Sequence, residues 1–232
     1  MKALILAAGY GTRLGVITQE TPKPLLQVGE RPMLDFAICK LLDIGISEII
    51  INTHFKSKEI EAFISKQVYS KKVILSYEEK LLGTLGTLRK HIDFLATSDF
   101  LVMHADNYFI DNLLGLVDVH RKRSDHIIAS MATFITDRPE ECGVVTVDED
   151  NEVVAFFEKI VNPPSRVANA AIYIFSPSIS LEIDAIPNTE NDISKNLIPK
   201  LIRKIVTCQF TKPLIDIGTL EGLNRARKLA ET

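Results

Sequence analysis

The first 124 residues alternate short apolar runs with stretches of helical periodicity, and this alternation restricts the fold more than any other feature of the chain. KALILA (2–7), EIIINT (48–53), KVILSY (72–77) and FLVMHA (100–105) are mostly apolar and bounded by polar residues, the pattern of strands buried on both faces. Between them, MLDFAICKLLDIG (33–45), SKEIEAFISKQV (57–68) and GTLGTLRKHIDFL (83–95) repeat their apolar residues at helical spacing. Pro32 stands where a first helical residue belongs and Gly45 where a helix stops. Strand-helix alternation requires crossover connections. It therefore implies an α/β fold, a parallel sheet wrapped by helices with ligands at the carboxyl ends of the strands.

From about Asp125 the texture changes. HIIASMATFI (126–135), CGVVTV (142–147), EVVAFFEK (152–159) and NAAIYIFS (169–176) follow one another without room for a helix, and DEDN (148–151) reads as a hairpin turn. Helical patterns return in NDISKNLIPKLIRK (191–204) and TLEGLNRARKLAE (219–231), separated by the strand-like IVTCQF (205–210). No repeat or low-complexity tract divides the chain. The expected organisation is one mixed α/β domain over 1–232, with a β-rich second half over 125–232 following the strand-helix alternation of 1–124.

Composition narrows the function classes. A net charge of −3, from 27 basic and 30 acidic residues, gives no general attraction to nucleic acid or an anionic membrane. The opening apolar run is shorter than the roughly 7–15 residues of a signal-peptide core. Cys39, Cys142 and Cys208 are too few and too scattered for a disulfide scaffold or a zinc site. A cytoplasmic protein is expected. The five histidines, 54, 91, 104, 120 and 126, show no metal-ligand spacing, and HRKRSDH (120–126) reads as a solvated helix end.

The chemistry is concentrated at the start. In LAAGYGTRLG (6–15), a strand delivers a loop whose Gly9 and Gly11 let backbone N–H groups approach an anion. It is neither a Walker A sequence nor G-x-G-x-x-G, because Leu14 holds the third glycine position. Arg13 follows the loop, and Lys23 is stiffened between Pro22 and Pro24. Two cations around a bare backbone loop point to a phosphate chain. Farther on, Asp106 ends one apolar run and Asp216 another, the placement in which two carboxylates suit Mg²⁺.

The segment LAAGYGTRLGVITQETPKPLLQVGERPML (6–34) closely resembles the signature of the sugar-phosphate nucleotidyltransferases, and the resemblance continues more weakly along the chain. It implies a Rossmann-like, mostly parallel sheet with a β-rich sugar-binding second half, the nucleotide-diphospho-sugar transferase or GT-A-like fold, in which 1–124 is mainly nucleotide-binding and 125–232 mainly sugar-phosphate-binding. By resemblance, Leu6, Ala7, Ala8, Gly9, Gly11 and Thr12 hold base and phosphates, while Arg13 and Lys23 neutralise the triphosphate. YEEKLLGTLGTL (77–88) places Glu78 and Gly83 at the nucleoside, with the following helix presenting N–H groups. Gly143, Glu158 and Asn169 are implied at the sugar hydroxyls, and Lys159 at the sugar phosphate. Mg²⁺ on Asp106 and Asp216 is the implied cofactor, with Arg13, Lys23 and Asp106 carrying catalysis. Three positions depart from the family pattern: His104 and Ala105 stand in place of Asn and Gly, and Ala171 in place of Gly.

The implied reaction joins a nucleoside triphosphate and a sugar 1-phosphate, giving a nucleotide sugar and pyrophosphate. INTHF (51–55) leans toward GTP with a hexose or heptose 1-phosphate; thymidylyl, uridylyl and cytidylyl transfer stay open, as do monomer and homodimer. A non-catalytic nucleotide-sugar sensor could discard charges useful only in the transition state, yet all of them are present. A glycosyltransferase would show Asp-x-Asp where this chain has Asp106, Asn107 and Tyr108.

Overall fold

The computed structural model describes residues 1–231, and its chain falls into two compact units. The first comprises Met1–Leu81, Met103–Ile110 and the chain from Leu214 on; the second comprises Leu82–Val102 and Asp111–Pro213.

In the first unit, three parallel strands lie side by side. Lys2–Leu6 pairs with Glu48–Thr53 from Lys2↔Glu48 to Leu6↔Asn52, and Glu48–Thr53 pairs in turn with Val73–Tyr77 from Ile49↔Val73 to Thr53↔Tyr77. The helices Met33–Asp43 and Ser57–Ile64 supply the crossovers that parallel pairing requires. Pro32 is the residue capping the first of these helices, one position earlier than expected, and the helix ends two residues before Gly45, whose φ is 79°. The strand Val73–Tyr77 departs from the expectation of burial on both faces: Ile74 and Tyr77 are exposed. Within this unit it has a strand partner on one side, so its outward residues reach solvent.

Two distant parts of the sequence close this unit. Leu214–Asp216 runs antiparallel to Asn107–Phe109, and the helix Leu220–Ala230 follows, its start capped by Thr219, whose hydroxyl accepts from the Gly222 amide at 3.0 Å. Leu14, Leu26, Val28 and Met33 from the opening segment pack with Ile215, Ile217, Leu223 and Ala226 in one buried cluster.

The second unit carries the β-rich texture. Val167–Phe175 is antiparallel to Ala129–Ile135 and touches Gly143–Val147 at Ala168↔Val144. Gly143–Val147 and Val153–Glu158 form the expected hairpin. Two amides at the far side of its turn point back to Asp148: Asn151 N–H donates to the Asp148 carbonyl at 3.1 Å and Glu152 N–H to the Asp148 carboxylate at 3.0 Å. Ile205–Gln209 runs parallel to Ala129–Ile135. Parallel and antiparallel strands flanked by helices give the α/β class expected.

Two expectations are corrected here. Residues 191–204 do not form an α-helix: a single π turn over Ile193–Leu197 passes into a 3₁₀ turn over Ile198–Leu201. Pro199 has no N–H to give and its ring obstructs the preceding turn, so the apolar spacing alone could not sustain the helix. Nor is HRKRSDH a solvated face throughout. His120 is buried, with Nδ1 2.8 Å from Ser130 Oγ and Nε2 3.3 Å from Asp99, and Arg123 pairs with Asp99 at 3.2 Å. Burial, reinforced by the Arg123 charge, pushes the His120 imidazolium down to a pKa of about 4 despite Asp99.

Candidate active site

The glycine loop is built where the strand Lys2–Leu6 ends. Its last residues run into a loop that is tied at once, because the Ala7 amide donates to Asn52 Oδ1 at 2.7 Å. Gly11 has φ 67°, the left-handed region, and a Cβ there would lie 2.8 Å from Thr18 Cγ2. The Thr18 hydroxyl donates to the carbonyls of Gly11 and Gly15 at 3.2 and 3.0 Å, fixing the loop from below. Arg13 lies on the 3₁₀ turn Thr12–Leu14 and projects largely into solvent, its Nη2 3.4 Å from Asp216 Oδ2.

Lys23 begins a second 3₁₀ turn, Lys23–Leu25, with the prolines on either side. Its ammonium pairs with the Asp106 carboxylate and stands 3.9 Å from Asp216 Oδ1. Backbone bonds bring these acids together. The Ala105 amide donates to the Leu6 carbonyl, the Ile217 amide donates to the Asp106 carbonyl, both at 3.0 Å, and Asp216 pairs in register with Asn107. Asp216 is further oriented by the Gly218 amide, 2.6 Å from its Oδ1. Burial alone would raise the Asp106 pKa, but the Lys23 charge and hydrogen bond, helped by His104, hold the carboxyl below its ordinary range. His104 Nδ1 is 3.9 Å from Asp106. Ala105 is buried and is not among the residues with positive φ, so the backbone makes no demand for the family's glycine there.

Residues 6–13, Lys23, Asp106 and Asp216 thus come together, as does Glu78, in the first unit. Glu78 is 3% exposed, and its Oε1 accepts from Asn52 Nδ2 at 3.0 Å. The acid therefore fixes the same Asn52 that holds Ala7. Asn52 was not singled out in the sequence. The available signal was a polar side chain closing the apolar run EIIINT.

The remaining candidates lie in the second unit. Gly83 has φ 77°, and a Cβ on it would collide with the Asn191 carbonyl. It opens the helix Thr84–Lys90, but the Leu85 amide donates to Asn191 O at 2.9 Å, so that N–H is already used and is not presented to a ligand as expected. Gly143 and Glu158 are direct cross-strand partners, and a Cβ on Gly143 would lie 2.6 Å from Glu158 Oε2. Glu158 accepts from Ser194 Oγ at 2.7 Å. Lys159 follows just past the strand's end with φ 50°, in the left-handed region. Asn169 uses both ends of its amide, donating to Tyr173 Oη at 2.7 Å and accepting from the Ala171 amide at 2.8 Å. Ala171 itself has φ 52°, the conformation that explains glycine at this position in the family pattern.

A divalent cation fits the carboxylate pair. One ammonium already pairs with Asp106 and stands 3.9 Å from Asp216, and Mg²⁺ characteristically takes one or two carboxylates with water and phosphate oxygens completing its shell. Among the described residues no group of three or more His, Cys, Asp or Glu is placed to hold a metal ion, so two carboxylates are what the protein offers.

A glycine loop with two cations beside two carboxylates is an arrangement that can accept a phosphate chain. The chain belongs to the nucleotidyl transferase family, whose model matches residues 2–232. It is 30% identical over 223 residues to the mannose-1-phosphate guanylyltransferase catalytic subunit beta of Drosophila pseudoobscura pseudoobscura, covering 94% of this chain and 59% of the relative. It is 33% identical over 222 residues to the UTP–glucose-1-phosphate uridylyltransferase of Synechocystis sp., covering 87% of this chain and 55% of the relative. The chain thus spans somewhat more than half the length of these curated relatives. Among solved structures, a putative glucose-1-phosphate thymidylyltransferase from Bacillus anthracis in complex with a sucrose superposes with a TM-score of 0.89 at 28% identity, covering 99% of this chain and 95% of that one. HddC from Yersinia pseudotuberculosis complexed with GMP-PN gives 0.79 at 25%, covering 98% of each chain. No helix among the described residues is long and apolar enough to cross a membrane.

Proposed function

We propose that the chain transfers a nucleotidyl group from a nucleoside triphosphate to a sugar 1-phosphate, releasing pyrophosphate. The observation that carries this reading is the convergence of Lys23 on both Asp106 and Asp216, with Arg13 beside Asp216 and the glycine loop at the same strand ends. A phosphate oxygen of the sugar 1-phosphate attacks the α-phosphorus; the new P–O bond forms as the bond to the β-phosphate breaks, and the electron pair leaves on pyrophosphate. No protein nucleophile is needed. The barrier is electrostatic, since an anion must approach an anion, and the side chains work by positioning and charge neutralisation.

In this reading Lys159 holds the sugar phosphate, Gly143, Glu158 and Asn169 line the sugar, and the loop from Leu6 to Thr12 with Glu78 and Gly83 holds the nucleoside triphosphate. Arg13 and Lys23 neutralise the charge that grows on pyrophosphate. Asp106 and Asp216 would hold Mg²⁺, which would supply positive charge at the phosphates. The preferred substrates are GTP and a hexose or heptose 1-phosphate, supported by relatives named mannose-1-phosphate guanylyltransferase in insects and yeasts and by the likeness to HddC. Uridylyl and thymidylyl transfer are the second reading, favoured by the Synechocystis and Bacillus matches. Incubation with each of four triphosphates against a panel of sugar 1-phosphates, assayed for pyrophosphate, decides between them. No pyrophosphate in any combination overturns the proposal.

A further inference from the structure

Tyr10 lies between the two glycines of the loop, and its side chain, though 46% exposed, is tied to a neighbour. Its hydroxyl is 2.8 Å from His54 Nε2, and the rings meet edge to face, 5.2 Å between centroids at 84°. His54 Nδ1 is in turn 2.8 Å from the Glu78 carbonyl. A carbonyl only accepts, so Nδ1 carries the imidazole proton. Nε2 is then the acceptor, and the Tyr10 hydroxyl donates to it. The His54 ring also stacks on Tyr77 at 6.4 Å and 20°.

This chain parallels the one described above through Asn52. Asn52 binds the loop at Ala7 and the Glu78 side chain; His54, two residues later, binds the loop at Tyr10 and the Glu78 backbone. Between these two ties the loop carries Gly9, and a Cβ built there meets nothing within 4 Å, so packing does not restrain it. An unpacked glycine leaves the loop conformational freedom at that point, and ordering it on ligand binding would weaken affinity.

We infer that Tyr10 and His54 are positioning residues, a hydrogen-bonded latch that holds the Gly9–Gly11 backbone in its anion-binding shape before the triphosphate arrives. The inference rests on the triphosphate assignment made above, though the latch itself is read without substrate. It acts on the loop, not on the reacting atoms, so its loss falls on triphosphate binding and leaves the sugar-phosphate KM unchanged.

The experiment combines Tyr10→Phe, His54→Ala, the double variant and His54→Gln, whose amide reaches the Nε2 position. Amide hydrogen exchange of nucleotide-free protein is expected to rise at residues 8–13 in both single variants, with the exchange of the strand Glu48–Thr53 unchanged. The KM for the triphosphate is expected to rise roughly 5- to 10-fold in each, the loss of one hydrogen bond. The double variant should be no worse than the poorer single one, and His54→Gln should recover part of the affinity. Additive losses, or unaltered exchange at residues 8–13, overturn the latch. Failure of the wild-type protein to turn over any triphosphate overturns the functional reading instead, and the exchange measurement still judges the latch.

Discussion

The Lys23 ammonium is paired with the Asp106 carboxylate, and only 11% of the lysine side chain reaches solvent. The same carboxylate is a proposed metal ligand, so lysine and metal compete for it until phosphate draws the ammonium away. Lys23→Ala should therefore weaken triphosphate binding while tightening Mg²⁺ or Mn²⁺ binding to the nucleotide-free protein. Calorimetric titration with Mn²⁺ alone reads the second effect; unchanged or weaker metal affinity in the variant contradicts it.

Neutralising either carboxylate should halt turnover. Asp106→Asn and Asp216→Asn are each expected to lower kcat by about 10²-fold or more, comparable to removing one preorganised electrostatic stabiliser. Circular dichroism and thermal melting should show the fold retained. Full turnover in either variant, or activity indifferent to EDTA, would refute the metal assignment.

The two phosphate lysines should fail differently. Lys159→Ala is expected to raise the KM for the sugar phosphate by roughly 10- to 150-fold, the range for one charge-assisted contact of about 1.5–3 kcal/mol, with little change in the triphosphate KM. Lys23→Ala should give the converse. Steady-state kinetics with each substrate varied in turn make the comparison, and identical defects would remove Lys159 from the sugar-phosphate site.

Acid should destabilise the second unit through His120. Its folded pKa of about 4 lies below the ordinary value near 6.5, so the folded state prefers the neutral ring. The stability this represents is fully present above pH 6.5 and is lost as pH falls toward 4, to a total of about 3 kcal/mol. Denaturant unfolding at pH 7 and pH 5 should show the loss, and His120→Gln should flatten it. A wild-type slope that survives the substitution assigns the effect to other groups.

Ala171 bears a backbone conformation that L-residues adopt at a cost of roughly 1–2 kcal/mol, while glycine gives back about 0.4–1 kcal/mol through the unfolded chain. Ala171→Gly should therefore stabilise the protein by about 0.5–1 kcal/mol. A lower melting temperature in the variant would show that the Ala171 methyl packs well enough to offset its strain.

The sequence disclosed what depends on local pattern. The four strands of the first half, the hairpin at residues 148–151 and the glycine loop all follow from periodicity and turn chemistry over a few residues. Pro199 shows the limit, since apolar spacing suggested a helix that one missing amide denied. The environment of His120 was hidden because Asp99 and Ser130 reach it only through the tertiary fold. Asn52 and His54 were equally obscure: each acts by joining the loop after one strand to Glu78 after another, and spacing along the chain carries no trace of that.

The joining of Leu214–Asp216 to Asn107–Phe109 also has a consequence in time. During synthesis, Lys23 and Asp106 emerge from the ribosome long before Asp216, and the apolar faces of Leu14, Leu26 and Met33 wait for Ile215, Ile217 and Leu223 to cover them. At roughly 5–20 residues per second, the hundred or so residues between them represent several seconds in which a nascent chain holds half of its carboxylate pair and an uncovered apolar surface. The larger part of the second unit, Asp111–Pro213, lies within that interval. The helix Leu220–Ala230, made after that interval, is the one that completes a core begun by residues made long before it.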